Sequence, residues 1–186
     1  EALVQLDQAV AIEPKNTAVF VHRIEAYVDL GDHEQAELAF FLGQQIDAND
    51  PDLYAAMAES LMARDQNERA VWCLREAARL DPELPRVQAR LAEAFAATGR
   101  HERARQLYMR ELRNDPGDAD TLLDLGDLLM EMGRFDEASE KVRRVLELEP
   151  DHPEAHAALG DLAARRGDVE QAIVHYDVVL RLGSGS

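Results

Sequence analysis

Hydrophobic and polar positions along this chain recur with the period of an α-helix, and no stretch alternates as a half-buried strand would. The helical stretches are short and break at regular places. Residues 146–161, LELEPDHPEAHAALGD, contain one such break. Proline inside a helix costs about 3 kcal/mol, through a lost N–H and a clash with the preceding turn, but is tolerated in a first turn. The pattern predicts that one helix ends near Glu149 and the next begins at Pro153. Pro82, Pro116 and Pro150 lie 34 residues apart, and the same phase reaches back to Ala48 and Pro14.

Other residues keep this phase. Small residues recur as Ala2, Ala36, Ala70, Ala104, Ala138 and Ala172, and turn residues as Gly31, Asp65, Gly99, Gly133 and Gly167. Bulky residues recur as Tyr27, Leu61, Phe95 and Leu129, and again as Leu6, Phe40, Leu74, Tyr108, Val142 and Tyr176. A fixed period of this length signals a stacked solenoid. The columns resemble the tetratricopeptide repeat (TPR) family, whose 34-residue unit is an antiparallel pair of helices, A and B. In residues 119–152, ADTLLDLGDLLMEMGRFDEASEKVRRVLELEPDH, the positions of Leu122, Leu125, Gly126, Leu129, Ala138, Val145 and Pro150 carry the resemblance. It implies an all-α fold, a right-handed superhelical solenoid of about eleven helices with the A helices on the concave face. The expected organisation is one solenoid over 1–182. A partial unit at 1–16 precedes units 17–50, 51–84, 85–118, 119–152 and 153–182, and 183–186 is a Gly/Ser linker or tail. Pro51, Pro85 and Pro153 are expected to open A helices.

The resemblance also indicates which side chains face the groove. Unit position 9 holds Glu25, Glu59, Glu93, Asp127 and Asp161, a carboxylate in every unit. Asp52 and Asp120 add charge at position 2. Apolar residues flank the column, among them Val21 and Leu123 at position 5 and Val28, Met62 and Met130 at position 12. The expected groove is an acidic ladder between apolar strips, suited to a peptide carrying Arg or Lys with small apolar residues between them. The alternative is that these carboxylates are solubilising charge. Some family members clamp acidic C-terminal tails with Lys and Asn from successive A helices; position 9 here holds only acids, so the polarity is the opposite.

Composition narrows the partners. The formal net charge is −17 over 186 residues, which disfavours nucleic acid and anionic membrane surfaces and favours basic partners. No apolar run reaches the roughly 18 residues of a membrane span, so no membrane insertion is expected. Cys73 is the single cysteine, so no intrachain disulfide can form, and its place in a B helix predicts a half-buried thiol. Leu38, Phe41, Leu42, Trp72, Val174 and Val178 fall on the outer side of B helices. They are either a second contact surface or faces meant for neighbouring repeats. The last B helix, around Val174 and Val178, lacks a polar cap, which predicts further repeats in a parent protein or end-to-end self-association.

Catalytic signatures are missing from the sequence: there is no phosphate loop, GxGxxG, HExxH or paired CxxC. His152 and His156 are four apart but straddle the turn at Pro153, a weak metal-site signal against solvated surface histidines. The expectation is a non-catalytic interaction scaffold with no cofactor, binding a basic protein or peptide in its groove. Two alternatives remain open: a TPR segment of a bacterial secretion or envelope protein for exopolysaccharide export, handling a cationic polymer, or the regulatory arm of a larger enzyme. The compartment is not fixed by the sequence.

Overall fold

The computed structural model describes residues 15–84 and 86–183. The expected partial unit at 1–16 lies almost wholly outside the described residues, as do Pro85 and residues 184–186. Ten helices run through the described part. They are α1 (Thr17–Asp29), α2 (His33–Ile46), α3 (Pro51–Met62), α4 (Asn67–Leu80) and α5 (Val87–Ala97), then α6 (His101–Asn114), α7 (Ala119–Glu131), α8 (Phe135–Leu148), α9 (Pro153–Arg166) and α10 (Val169–Gly183). The odd-numbered helices up to α9 begin repeats and serve as A helices; the even-numbered ones are their B partners. No strand occurs among the described residues. The chain divides into two compact units, Glu1–Gly99 and Arg100–Ser186.

In the first unit α1 packs on α2 and on α3, α2 on α3, α3 on α4, and α4 on α5. In the second, α6 packs on α7, α7 on α8, α8 on α9, and α9 on α10. Each helix is amphipathic and cannot bury its apolar face alone, so stacking supplies the core. The small-residue column lies at the contact: Ala36, Ala70, Ala104 and Ala138 are fully buried and Ala172 nearly so. Leu61, Phe95, Leu129, Leu74, Tyr108 and Val142 fill the space around them and are all buried. The approach is closest at glycines. A Cβ on Gly126 would stand 2.9 Å from Val142, and one on Gly43 would stand 2.6 Å from a Leu53 methyl and 3.2 Å from the Phe20 Cβ.

The helix ends follow from local chemistry. Pro51 and Pro153 stand in the first turns of α3 and α9, and α8 stops at Leu148, in agreement with the proline steps. Asp32, Asp50, Asp118 and Asp168 accept hydrogen bonds from backbone N–H groups in the first turns of their helices. Asp47, Asp81 and Asp115 close the turns after B helices, each accepting from the N–H two residues on at 2.8–3.0 Å. The A-to-B turn carries a left-handed residue in every described repeat. Gly133 has φ +73°, and the one non-glycine in the column, Asp65, has φ +56°. Cys73 is buried rather than half-buried, at 3% exposed, and burial pushes its thiol up to about 11.

Two substitutions test this packing. Leu53 is fully buried and cannot swing away from a new methyl at position 43. Overpacking costs about 1–3 kcal/mol against roughly 1 kcal/mol of helix propensity gained, so Gly43→Ala should destabilise the protein by up to about 2 kcal/mol in urea unfolding. Asp65→Gly removes a left-handed strain of about 1–2 kcal/mol and returns about 0.4–1 kcal/mol to the unfolded chain. It should stabilise the protein by about 0.5–1 kcal/mol in the same assay.

Candidate functional site

In the first unit the helices α1, α3 and α5 line one cleft. Val21 and Glu25 of α1, Asp52, Ala55, Ala56 and Glu59 of α3, and Leu84, Val87 and Arg90 of the following turn and α5 enclose a cleft of about 270 Å³. The floor is aliphatic. The rim is carboxylate, with one guanidinium. Val21 and Val28 are half-buried, Glu25 and Asp52 are exposed, and Met62 lies half-buried at the end of α3. Glu93, one turn beyond Arg90 on α5, is exposed.

The carboxylates are not equivalent. Glu59 is ion-paired with the Arg90 guanidinium, and the two side chains are 34% and 35% exposed. Glu25 Oε2 lies 2.9 Å from Nδ1 of His22, one turn back on α1. At Asp52, partial burial and then the charges of Asp50, Asp81 and Glu25 hold the pKa above the usual carboxylate range. The cleft therefore stores uncompensated negative charge around Asp52, while Glu59 is already answered by a cation of the chain itself. Sequence reasoning missed Arg90. The column at position 9 was read along one face, whereas the ion pair joins position 9 of one repeat to position 6 of the next, a diagonal set by how successive A helices are staggered.

In the second unit the expected residues sit on α7 and α9. Asp120 and Asp127 are exposed and Met130 is half-buried. Leu123 is 8% exposed and belongs to the core rather than to an open strip. Asp161 accepts a 2.5 Å hydrogen bond from the Tyr176 hydroxyl of α10. Partial burial, followed by the charges of Glu131, Asp161 and Glu154, raises the Asp127 pKa. The structure thus gathers Val21, Glu25, Asp52 and Glu59 into one cleft in the first unit and sets Asp127 among carboxylates in the second.

Among the described residues no group of three or more His, Cys, Asp or Glu is placed to hold a metal ion. His152 instead caps α9, its Nδ1 accepting from the Ala155 N–H at 3.4 Å. His156 turns to α10, with its Nδ1 3.1 Å from Nδ1 of His175. No helix of the described residues is long and apolar enough to cross a membrane.

The outer apolar residues form a second feature. Phe41 and Trp72 are 56% and 55% exposed, and Leu38 and Leu42 are also exposed. Phe40, Tyr54 and Trp72 stack edge-to-face in sequence, with ring centroids 5.4 and 5.9 Å apart.

Partial burial, with carboxylates close by, has a measurable consequence at Asp127. Its pKa is raised on folding, so the folded state holds its proton more tightly than the unfolded one. Stability is then lost as pH rises from the unfolded carboxylate range through the folded pKa, and the cost persists at neutral pH. Asp127→Asn removes the titrating group. The variant should be more stable than the parent at pH 7 in urea unfolding, and the difference should vanish near pH 3, where both states of the parent are protonated.

Comparison with known proteins bears on the same architecture. A family model described as the Cilia and flagella-associated protein 70 C-terminal domain matches residues 1–185. No curated protein matches the chain in sequence. Among solved structures, MamA from Desulfovibrio magneticus RS-1 is 19% identical with a TM-score of 0.79, over 91% of this chain and 96% of that one. PilF of Pseudomonas aeruginosa is 19% identical with a TM-score of 0.79, over 98% of this chain and 83% of that one. YrrB, a TPR protein with an unusual peptide-binding site, is 16% identical with a TM-score of 0.70, over 95% and 91% of the two chains. At these identities the likeness shows the fold, a TPR solenoid. With the family model spanning almost the whole sequence, the chain belongs to the Cilia and flagella-associated protein 70 C-terminal domain family, a TPR family.

Proposed function

We propose that this chain is a non-catalytic protein-interaction scaffold whose first-unit A face takes a peptide segment with basic side chains spaced by small apolar ones. The observation that carries this reading is the cleft around Ala55 and Val87, aliphatic at its floor and rimmed by Glu25, Asp52 and Glu59. Anchor side chains buried on such a floor contribute roughly 1.5–3 kcal/mol each, whereas a partly exposed ion pair adds about 0.2–1 kcal/mol. Apolar contacts would set affinity, and the carboxylates would set sign preference and association rate. The peptide-binding site ascribed to YrrB supports the same mode of use for this fold. The open cleft, with no enclosed nucleophile or acid–base pair, supports binding rather than chemistry.

Arg90 makes the test specific, because it occupies the place on Glu59 that a ligand's basic side chain would take. The probe is a fluorescently labelled peptide alternating Arg with Ala and Leu, with a control in which Glu replaces Arg, followed by anisotropy. The basic peptide should bind and the acidic one should not. The double variant Glu25→Gln, Asp52→Asn should weaken binding roughly 2- to 10-fold, and Arg90→Ala, which frees Glu59, should tighten it by roughly 1.5- to 5-fold. Equal binding of the two peptides would refute the reading. Binding that collapses as the Debye length shortens from about 10 Å at 0.1 M salt to about 3 Å at 1 M would instead indicate a polycation held by charge alone.

A further inference from the structure

In the second unit two histidines face each other across the contact of α9 and α10. Nδ1 of His156 lies 3.1 Å from Nδ1 of His175, and Nε2 of His156 lies 2.9 Å from the Pro150 carbonyl oxygen, in the turn before α9. The ring centroids are 5.4 Å apart, close to the most that two imidazoles can reach with nitrogens at that distance, so the two nitrogens point at one another. Both side chains are half-buried. At the same repeat positions the first two repeats hold Phe20 with Ala39 and Tyr54 with Cys73, all four buried. Such pairs serve at any ordinary pH. Two imidazoles in their place make the contact depend on protons.

The hydrogen-bond partners fix where those protons sit. A carbonyl oxygen only accepts, so His156 carries its hydrogen on Nε2, and in the neutral ring its Nδ1 is a bare acceptor. His175 must then donate from Nδ1. One added proton leaves this bond intact, because one of the two Nδ1 atoms is still bare. A second added proton puts an N–H on both Nδ1 atoms and sets two positive rings against each other with no acceptor between them. Arg143 of α8 also faces His175, and Arg166 and Asp168 line the small cavity that His175 borders. His152, one turn back on α9, is occupied in capping that helix. Burial, followed by the charges of His156 and Arg143, holds the His175 pKa below the ordinary histidine range.

We propose that the His156–His175 pair is a proton-operated latch: it ties α10 to α9 and to the Pro150 turn while it carries at most one extra proton, and it releases α10 when it carries two. A released α10 takes up both protons as pH falls through 6.5, the ordinary histidine value, whereas the closed pair withholds one of them until the pH is lower. The latch is therefore at full strength above that pH and weakens below it. Release also frees the Asp161 carboxylate on α9, because its partner Tyr176 follows His175 on α10.

Two measurements on the intact chain test the latch. Imidazole nitrogen NMR at about pH 7.5 reads the tautomers, and should find His156 protonated on Nε2 and His175 on Nδ1. Amide hydrogen exchange, corrected for intrinsic rates, reads the release of α10. Between about pH 7 and pH 5.5 the protection of α10 should fall roughly 5- to 10-fold relative to α7 and α8, the effect of one proton withheld by the closed pair. The double variant His156→Phe, His175→Ala places the side chains of Phe20 and Ala39 at this contact, and its α10 should lose that extra dependence on pH. The opposite tautomer at either ring overturns the proposal, and so does α10 protection that merely follows α7 and α8 across the range. A double variant that keeps the parent's pH dependence overturns it as well.

Discussion

The close approach of helices at a column of alanine and glycine is the constraint on which the molecule depends. Ala36, Ala70, Ala104 and Ala138 are fully buried, and at Gly43 and Gly126 the neighbouring side chain stands where a methyl would go. That spacing lets large residues such as Leu61, Leu74 and Leu129 interlock, where dispersion and burial add up. It also fixes which positions are left over. Once the contact stripe of each helix is spent, the remaining A-helix positions open to one side and the remaining B-helix positions to the other. The acidic cleft and the aromatic groove are both by-products of that allocation.

Charge in this protein does several jobs, and the totals conceal the division. Asp32, Asp50, Asp118 and Asp168 cap helices, and Asp47, Asp81 and Asp115 close turns. These aspartates satisfy backbone N–H groups that the helix ends leave without partners, a local requirement repeated in each unit. They account for part of the net charge without implying any ligand. The A-face carboxylates are different, since none of Glu25, Asp52 or Glu59 is needed to hold a helix from within its interior. Asp52 straddles the classes: it lies in the first turn of α3, favoured by the helix dipole, yet partial burial, and then the charges of Asp50, Asp81 and Glu25, raise its pKa.

What was legible in the sequence follows the same physics. A period of 34 residues, with alanine in one phase and glycine in another, exposes the helix pair and its turns because each repeat solves an identical packing problem. The boundaries at Pro51 and Pro153 were readable because proline has one comfortable place in a helix. The exposed Phe41 and Trp72 were readable as apolar residues on the polar side of their helices. Leu123, expected on the apolar strip, is only 8% exposed, and at the same repeat position Ala89 is also buried while Val21, Ala55 and Ala157 are half-buried, so burial in this column follows each repeat's local packing and cannot be read from its phase. The Glu59–Arg90 pair was hidden for another reason: its partners lie in different repeats and at different unit positions, so no single column contains them.

That pair also shapes how the cleft can discriminate. Both side chains are about one-third exposed, so the ion pair contributes on the order of 0.2–1 kcal/mol. A ligand arginine that displaced Arg90 would exchange one such pair for another and leave Arg90 to find water, a nearly neutral trade. Net gain must come from elsewhere: from the aliphatic floor beneath, and from the crowded charge at Asp52, where a cation relieves repulsion rather than replacing an existing partner. The cleft is therefore graded along its length. Under the proposed function, a basic side chain placed over Asp52 would be favoured, one placed over Glu59 would compete with the protein's own, and selectivity would lie in the register between a ligand's cations and its apolar residues rather than in the number of charges it carries.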